Sequence, residues 1–570
     1  MTTLVPERTD ALDRLLGDPA DPSNPVGTRA VLDADERGEM LEAGERALHT
    51  YGLNAEFVPP EYGGRLTRAD HLVEVMRTVY RRDPVLGLGY GASSFIAGVN
   101  VWTAGSPGQA ARVADLLLAG RRVAVAFHEL AHGNDMAGTE FTAAADGEDL
   151  VLSGRKEVVT NISRAQAVVV FARTDPRSGP RSHSLVLVDR SAVPGDGIRD
   201  LPRFATVGMR GVQLGGLEFH AVPVPGSAIL GPVGTGLETA LKALQITRTT
   251  LPAMASGVLD TALRTAIDHL SSRTLYGGAA IDIPHVRSVL VDVFADLLHA
   301  EAVGVVGARA LHLVPEAVSV YSAAVKYAVS KLLLDAMDRL AELLGAHFYV
   351  REGPSAIFQK LLRDLAPVGF GHIARAACQM SLLPQLPLLA RRSWTARAPA
   401  PAPAPAEVFA LDTDLPPLRY DRLALHAGGG DPIAASLAAA LDEPWDGADR
   451  DLRAAAVSDL TALTGLAGAC TTLPVTEWGV DASARTYDLA DRYTRLLTRI
   501  CCLQVQRHAT APFLADPAWV RAVLHRSHRR SPLPGPVEHA LYGELLDRHR
   551  SHRSFGLAAR PLHHREENTR

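Results

Sequence analysis

Cysteine is scarce in this sequence, with four residues in a chain of 570. Their positions show no metal-ligand spacing, and two of them, Cys501 and Cys502, are adjacent, which makes them poor candidates for a disulfide bond with each other. This pattern excludes a disulfide-stapled secreted scaffold, predicts no metal site and favours reduced thiols in the cytoplasm.

An excess of positive charge is also missing. The formal net charge is −5, so nothing in the charge balance points to nucleic acid or to an anionic membrane surface as a partner. No uninterrupted apolar run reaches 18 residues, and the N-terminal MTTLVPERTDALDRLL has early acidic residues without the apolar segment of a secretory signal. We therefore expect a cytoplasmic protein without a membrane span. Frequent Ala, Arg, Gly and Pro suggest a bacterial source with a GC-rich genome.

The hydrophobic periodicity changes twice along the chain. Apolar spacings in 70-DHLVEVMRTVY-80 and 110-AARVADLLLAG-120 predict helices. Short β-branched segments at 150–160, 168–173, 184–189 and 217–224 then predict the strands of a small antiparallel sheet or barrel. Helical spacing returns from Gly236 to Leu389, with helices expected at 287–312, 317–345 and 355–366.

These changes predict an α+β chain that is mainly α and is divided into several domains. The domains expected are an N-terminal helical domain at 1–120, a β middle domain at 121–235, a helical bundle at 236–395, an Ala/Pro linker at 396–406 and a C-terminal helical extension at 407–570. The linker sequence favours extended polyproline II structure. We expect a loose arm over residues 1–35 and a solvated tail over 558–570.

Several blocks in the middle of the chain resemble, in order, the acyl-CoA dehydrogenase flavoprotein family. They are 125-VAFHELAHGNDMAGTEFTA-143, 153-SGRKEVVTN-161, 207-VGMRGVQLGGLEFHAVPVPGSAILG-231, 248-RTTLPAMASGVLDTAL-263, 273-RTLYGGAAIDIPHVRSVLVD-292 and 342-ELLGAHF-348. The resemblance covers roughly residues 35–390. It implies a helical N-domain, a small antiparallel β middle domain and a four-helix bundle, to which this chain adds a helical C-domain.

The resemblance also implies a bound FAD. Family members have a Thr-Glu-Pro-Gly-x-Gly-Ser-Asp type of loop where this chain has 128-HELAHGND-135. The backbone of that loop approaches the flavin, so the cofactor contacts implied here are His128, Leu130, Gly133 and Asn134. Taken by itself, the segment also fits a plain Gly-Asn-Asp turn.

The other implied cofactor contacts lie in three further motifs: Val158 and Thr160, Arg273 and Tyr276, and Gly345. Val158 stands where the family has a Trp that packs on the flavin. Arg273 matches an Arg that reaches the FAD diphosphate of a neighbouring subunit, which implies a homodimer or homotetramer. By themselves, the first motif also fits an ordinary strand end and the second a helix C-terminus.

The position of the catalytic base departs from the family pattern. The family's Glu sits nine residues after the Arg of an Arg-Asp pair, and counting from Arg363 leads to His372. A minority of members place the Glu directly before the residue that is Arg248 here, and this chain has Thr247 there. His372 could serve as the base, the local register could be shifted, or the fold could serve another reaction. Arg248 remains the implied substrate-binding residue.

The expected function is therefore an FAD-dependent oxidoreductase that acts on an acyl thioester of CoA or of acyl carrier protein. The alternative is a diverged member that acts as a flavin monooxygenase, a non-redox enzyme or an assembly subunit.

Overall fold

The computed structural model describes residues 5–193, 196–395, 402–445, 449–527 and 532–564. The chain forms two compact units, one from Met1–Thr67 with Arg82–Thr247 and the other from Arg68–Arg81 with Arg248–Arg570. We call them the sheet unit and the bundle unit. The division into four domains and a linker expected from the sequence stays a prediction.

The sheet unit begins with helices where the sequence suggested a loose arm. Its helices are α1 (Val5–Leu16), α2 (Thr28–Arg37), α3 (Glu42–Tyr51), α5 (Pro84–Leu86), α6 (Ser93–Ala104) and α7 (Pro107–Leu118), with a π-helical turn at Gly87–Ala92. The loose-arm prediction was wrong because Leu12 and Leu16, on one face of α1, are fully buried, and Arg8 forms a buried ion pair with Glu56 at 2.6 Å. Burial against the rest of the sheet unit therefore stabilises α1, although the sequence of this region is polar and rich in proline.

Seven strands form the sheet. They are β1 (Arg122–Ala126), β2 (Thr142–Asp146), β3 (Asp149–Thr160), β4 (Ala165–Arg173), β5 (His183–Asp189), β6 (Ile198–Leu201) and β7 (Leu214–Pro225). The path β1-β4-β2-β3-β7-β6 runs through the sheet, and β5 pairs with β4. The sheet is mixed, because β1 runs parallel to β4, although the long pairs β3–β7 and β4–β5 are antiparallel as expected.

The bundle unit is built around long helices. They are α4 (Ala69–Arg82), α9 (Ser256–Ser272), α10 (Pro284–Leu313), α11 (Val318–Leu344), α12 (Ala356–Leu365), α13 (Arg375–Leu382) and α14 (Leu386–Arg392), and α8 (Gly236–Met254) enters from the sheet unit. The three helices predicted at 287–312, 317–345 and 355–366 are confirmed. A run of fully buried aliphatic side chains along α10 and α11 accounts for their stability, since most helical stability comes from tertiary packing.

The C-terminal region adds helices to the same unit. They are α15 (Pro432–Leu441), α16 (Arg450–Thr471), α17 (Ala484–Arg507), α18 (Pro512–Ala515), α19 (Ala518–Arg526) and α20 (Gly535–Arg550). At the start of α15 the buried Asp431 carboxylate accepts hydrogen bonds from Trp394 at 2.9 Å, Tyr493 at 2.9 Å and Tyr321 at 3.0 Å. One side chain therefore joins three helical segments of the unit.

The expected linker and tail are more ordered than the sequence suggested where they are described. Residues 396–401 of the linker lie outside the described residues, but Ala404 is buried and its N–H donates to the carbonyl of Pro432 at 2.9 Å. Beyond α20, the amides of Phe555 and Leu557 donate to the buried carboxylates of Asp260 and Glu301, both at 2.9 Å. The predicted solvated tail begins just after these contacts. Ala558 is exposed as expected, whereas Arg560 pairs with Glu74 at 2.7 Å, and 565–570 lie outside the described residues.

Within the described residues, three helical stretches are long and apolar enough to cross a membrane when length and composition alone are considered: 84–104, 315–349 and 450–471. In the first two, 89% and 72% of the apolar window is buried inside the protein, so packing accounts for their character. In the third stretch, 450–471, 33% of the apolar window is buried. A search for uninterrupted apolar runs does not find these three stretches, because scattered polar residues interrupt each of them.

Candidate functional site

The loop between β1 and β2 contains the motif 128-HELAHGND-135 and is anchored by Glu129. This buried carboxylate accepts hydrogen bonds from the amides of Glu140 at 2.8 Å and Phe141 at 3.1 Å, and from the hydroxyl of Thr139. Lys156 of β3 donates to it at 2.8 Å. The carboxylate thus joins both ends of the loop to the sheet.

Glu129 and Lys156 form a buried ion pair. Burial by itself raises the pKa of Glu129, but hydrogen bonds from the Glu140 amide, from Lys156 and from Thr139 lower it to about 2. Burial lowers the pKa of Lys156 to about 8, and the bond to Glu129 works in the opposite direction. Lys156 also donates to the carbonyl of Phe127 at 3.1 Å and to Thr139 at 2.6 Å, so all three of its hydrogens have acceptors. The pair therefore fixes the loop in place.

The four predicted cofactor contacts of this loop lie on its outer part. The ring of His128 lies with Nδ1 2.9 Å from the carbonyl of Gly133, so that nitrogen carries the proton. Gly133 has a φ of +54°, a left-handed conformation that glycine tolerates, and open space surrounds its α carbon. Leu130 is 60% exposed and its amide donates to Glu157 at 3.0 Å, and Asn134 is exposed. The structure brings His128 and Gly133 into contact and leaves the loop surface accessible.

Val158 and Thr160 lie at the end of β3 beside an irregularity in its pairing with β7, between Lys156 and Val159. Both side chains are half-buried. In the described part of the chain, the Thr160 hydroxyl makes no hydrogen bond to protein, which leaves it free to contact a ligand. Sequence reasoning did not single out the next residue, Asn161, although it is buried at a φ of +60° and its side-chain amide donates to Ser93 at 2.8 Å. Asn161 holds this strand end against the helical part of the sheet unit.

Arg273 and Tyr276 lie in a small hairpin after α9, made of β8 (Thr274–Leu275) and β9 (Gly278–Ala279). Tyr276 has a φ of +52° and is 99% exposed. The guanidinium of Arg273 donates no hydrogen bond and forms no ion pair within the described residues. The hairpin thus presents a free cation and an exposed aromatic ring.

Gly345 ends α11 with φ +57° and ψ −139°, a conformation open almost only to glycine. Two residues later His347 packs against His269 of α9, with ring centroids 4.7 Å apart. Burial lowers the pKa of His269, and the charges of His347 and Arg273 lower it further. The structure therefore brings the predicted Arg273 and Gly345 motifs to one part of the bundle unit.

His372 follows the short turn Ala366–Gly369 after α12. Its φ is +52° and that of the β-branched Ile373 is +90°, so two consecutive residues adopt strained left-handed backbone. Asp364, the acidic member of the Arg-Asp pair, is fully buried and accepts from Lys360 at 2.6 Å. Asp364 is thus committed to a structural ion pair.

Arg248 lies in α8 and is buried beside Lys326 of α11 and Cys378 of α13. Lys326 donates to the carbonyls of Val368 at 2.7 Å and Gly371 at 3.1 Å. It therefore holds the turn that precedes His372, and it brings the predicted substrate-binding and catalytic positions into one neighbourhood. Sequence reasoning missed Lys326, whose signal was a Lys inside the apolar first half of α11, VSVYSAAVKYAV.

No group of three or more His, Cys, Asp and Glu residues arranged to hold a metal ion occurs in the described ranges. The roles of the predicted site residues stay predictions, although the structure shows where each lies.

Comparison with known proteins gives matches across both units. The family model described as "Acyl-CoA dehydrogenase, middle domain" matches residues 124–222, and "Acyl-CoA dehydrogenase, C-terminal domain" matches 234–370. A probable acyl-CoA dehydrogenase fadE25 of Mycobacterium leprae is 29% identical over 336 residues, which cover 59% of this chain and 84% of that protein. The second family match ends just before His372.

Two solved structures show the extent of the fold. The acyl-CoA dehydrogenase complexed with FAD from Bacillus anthracis covers 96% of both chains, with a TM-score of 0.71 and 17% identity. The prolyl acyl carrier protein oxidase AnaB covers 65% of this chain and 96% of its own, with a TM-score of 0.58 and 18% identity. The first match includes the C-terminal extension, and the second leaves about a third of this chain uncovered.

These matches confirm the predicted fold and the predicted class, an acyl-CoA dehydrogenase-like flavoenzyme. They do not favour the alternative of a diverged protein with another activity. The two family models and the relatives together support a member of the acyl-CoA dehydrogenase family.

Proposed function

We propose that this protein is an FAD-dependent oxidoreductase that removes one hydrogen each from the α and β carbons of an acyl thioester, carried by CoA or by acyl carrier protein. Family membership supports the reaction class. The observation that carries the proposal for this chain is a set of three polar side chains without protein partners among the described residues: Thr160, Arg273 and Arg248. Each is a residue for which the sequence predicts a ligand contact.

The residues present fit FAD. The Thr160 hydroxyl and the accessible surface of the 128–135 loop suit the flavin ring, and the free guanidinium of Arg273 suits the paired oxygens of a diphosphate. Val158 supplies a smaller apolar wall than the family's Trp. When bound, FAD would accept the hydride that leaves the β carbon.

His372 is the residue that we propose to accept the proton from the α carbon. A neutral imidazole is a suitable base near neutral pH. Lys326 holds the carbonyl of the preceding Gly371, and the left-handed backbone at His372 and Ile373 sets the direction in which the imidazole leaves the turn. The backbone of the base is therefore already fixed before the substrate binds, and the bound substrate must place its α carbon against the imidazole of His372.

We also propose that the active form is a cytoplasmic homodimer or homotetramer. The support is the exposed hairpin that carries Arg273 and Tyr276, because a free cation beside a fully exposed aromatic ring suits contact with a neighbouring subunit and its cofactor.

Flavin retention tests the proposal. Apo protein reconstituted with FAD should bind it, and Arg273→Ala should retain it less well by about 10-fold or more, since a hydrogen bond to a charged group contributes about 1.5–3 kcal/mol. Arg453→Ala removes an exposed Arg from α16 and serves as the matched control, with retention expected to equal that of the wild type. Failure of wild-type protein to bind FAD would overturn the proposal, and equal retention by Arg273→Ala would remove Arg273 from the site.

A further inference from the structure

A cavity of about 560 Å³ lies in the C-terminal extension, lined by residues of α18, α19, α20 and the chain segment that follows α20. Its volume falls in the range of about 300–1,000 Å³ that is typical of small-molecule sites. Ala540 and Ala558 line the cavity and are exposed, so it opens to solvent. None of the described residues that line it belongs to a motif for which the sequence predicts a flavin or substrate contact.

Most of the residues in the cavity wall are apolar. Three of them, Leu514, Trp519 and Leu541, have buried side chains. The indole N–H of Trp519 is already used within the protein, because it donates to the carbonyl of Leu514 at 2.9 Å. These side chains therefore offer apolar surface to a ligand.

Arg548 is a buried polar group of the wall whose hydrogen bonding is incomplete. Its side chain is fully buried, and its Nε donates to Glu544 at 2.7 Å. Its Nη1 donates to the carbonyls of Phe555 at 3.0 Å and Gly556 at 2.6 Å. Its Nη2 is enclosed and has no acceptor among the described residues. A buried donor without an acceptor is unfavourable, so an acceptor supplied by a ligand would stabilise this arrangement.

The charged side chains of the wall balance one another. Arg548 and Arg553 are positive, and Asp516 and Glu544 are negative. Glu544 is the ion-pair partner of Arg548, and Arg553 is paired with Asp547. Asp516 accepts a backbone amide hydrogen bond at the start of α19 at 2.8 Å. An anionic ligand would meet two carboxylates, so the group missing at Arg548 is an acceptor oxygen and not a counter-ion.

We propose that this cavity binds an uncharged organic molecule with an apolar body and a carbonyl oxygen that accepts a hydrogen bond from Nη2 of Arg548. The half-buried ring of Phe513 lies over the guanidinium, with its centre 4.2 Å from Cζ. Because Nη2 is enclosed, the ligand oxygen reaches it when this ring moves aside. The bound molecule would contact both α20 and the segment 553–559, and binding to the folded state alone stabilises the elements that form the site.

Benzophenone and diphenylmethane, which have a carbonyl and a methylene group between the same two rings, test this inference. FAD-loaded full-length protein is titrated with each by calorimetry, and hydrogen exchange reports on the segment 553–559. Wild-type protein should bind benzophenone about 10-fold or more tightly, the ratio expected of a hydrogen bond from a charged donor. 4-Benzoylbenzoate, which adds a carboxylate, should bind no more tightly than benzophenone. Irradiation should attach bound benzophenone to residues in 511–519 or 540–559, identified by mass spectrometry.

Two variants separate the cavity from the hydrogen bond. Ala540→Trp fills the cavity and should abolish binding of benzophenone, whereas Ala454→Trp makes the same change at an exposed position of α16 and should bind as the wild type does. Arg548→Lys keeps the charge but lacks Nη2, so it should bind benzophenone and diphenylmethane equally. Circular dichroism establishes that each variant is folded. If Arg548→Lys does not fold, the wild-type ratio and Ala540→Trp decide the question.

Equal affinity of the wild type for benzophenone and diphenylmethane, or binding of neither, would overturn the inference. Unchanged binding by Ala540→Trp, or labelling confined to other parts of the chain, would also overturn it. Tighter binding of 4-benzoylbenzoate would assign an anion to the cavity and would contradict the uncharged class of ligand. These outcomes leave the proposed function untouched, because the residues on which it rests do not line this cavity.

Discussion

Replacing Lys156 by Met tests whether the buried pair with Glu129 holds the 128–135 loop. Met fills a similar volume and cannot donate a hydrogen bond, so the carboxylate remains charged and buried without its counter-ion. Removal of one partner from a buried ion pair costs about 3–5 kcal/mol. Three donors to Glu129 remain, from Thr139 and two backbone amides, and we therefore expect the lower end of that range, about 3 kcal/mol.

The double variant separates the charge from the packing. In Lys156→Met with Glu129→Gln no buried charge remains, so we expect it to be less destabilised than Lys156→Met alone, by about 1–2 kcal/mol. Lys242→Met is the matched control, because Lys242 pairs with Glu238 at 2.9 Å in a partly exposed position of the same unit. An exposed pair of this kind contributes about 0.5 kcal/mol or less.

Urea unfolding of the full chain measures these changes, with hydrogen exchange in β1 and β3 reporting on the sheet unit. Because the loop carries predicted FAD contacts, Lys156→Met should also retain less FAD than the Lys242→Met control. A destabilisation by Lys156→Met below about 1 kcal/mol, or a double variant no more stable than the single one, would refute the reasoning that the ion pair anchors the loop.

Three more outcomes follow from the described contacts. The pKa of Glu129 in the folded protein is about 2, below its ordinary value of 4.5. The charged carboxylate therefore stabilises the fold fully above pH 4.5, and this stabilisation is lost as the pH falls towards 2. In Glu129→Gln the free energy of unfolding should fall less steeply over that pH range. Asp431→Ala leaves the donors of Trp394, Tyr321 and Tyr493 unsatisfied and should cost about 3–5 kcal/mol, whereas a cost below 1 kcal/mol in urea unfolding would show that water replaces the carboxylate. Phe555→Ala should cost about 3–5 kcal/mol and increase proteolysis of the C-terminal segment; unchanged proteolysis would mean that Phe555 does not hold it.

The sequence predicted the elements whose periodicity is strong. Strands β3, β4, β5 and β7 and the long helices α10 and α11 lie where the pattern placed them. Strands β1 and β2 were missed because RVAVA and TAAAD are short and rich in Ala, which has little preference for strands. The helix α1 was missed because its burial depends on a partner, Glu56, 48 residues from Arg8.

The candidate site was predicted in part for the same physical reason. Motifs identified Thr160, Arg273 and Arg248, since each belongs to a local sequence block. The pairing of Glu129 with Lys156 joins residues 27 apart in the chain, and the cation beside Arg248 comes from α11, so neither follows from local spacing. That Arg248 lacks a partner within the described residues is a property of the folded chain, which no single sequence block contains.

In the proposed reaction this protein passes hydrogen from an acyl thioester to FAD, and His372 is the base. The most direct measurement is anaerobic mixing of FAD-loaded protein with acyl-CoA, followed by the bleaching of the flavin absorbance. We predict that wild-type protein is reduced and that His372→Ala, with the same flavin content, is reduced about 10²–10⁴ times more slowly, which is the usual contribution of a positioned base. Undiminished reduction in His372→Ala would contradict the role of His372, and a wild-type flavin that no acyl thioester, acidic or uncharged, can bleach would contradict the proposed function.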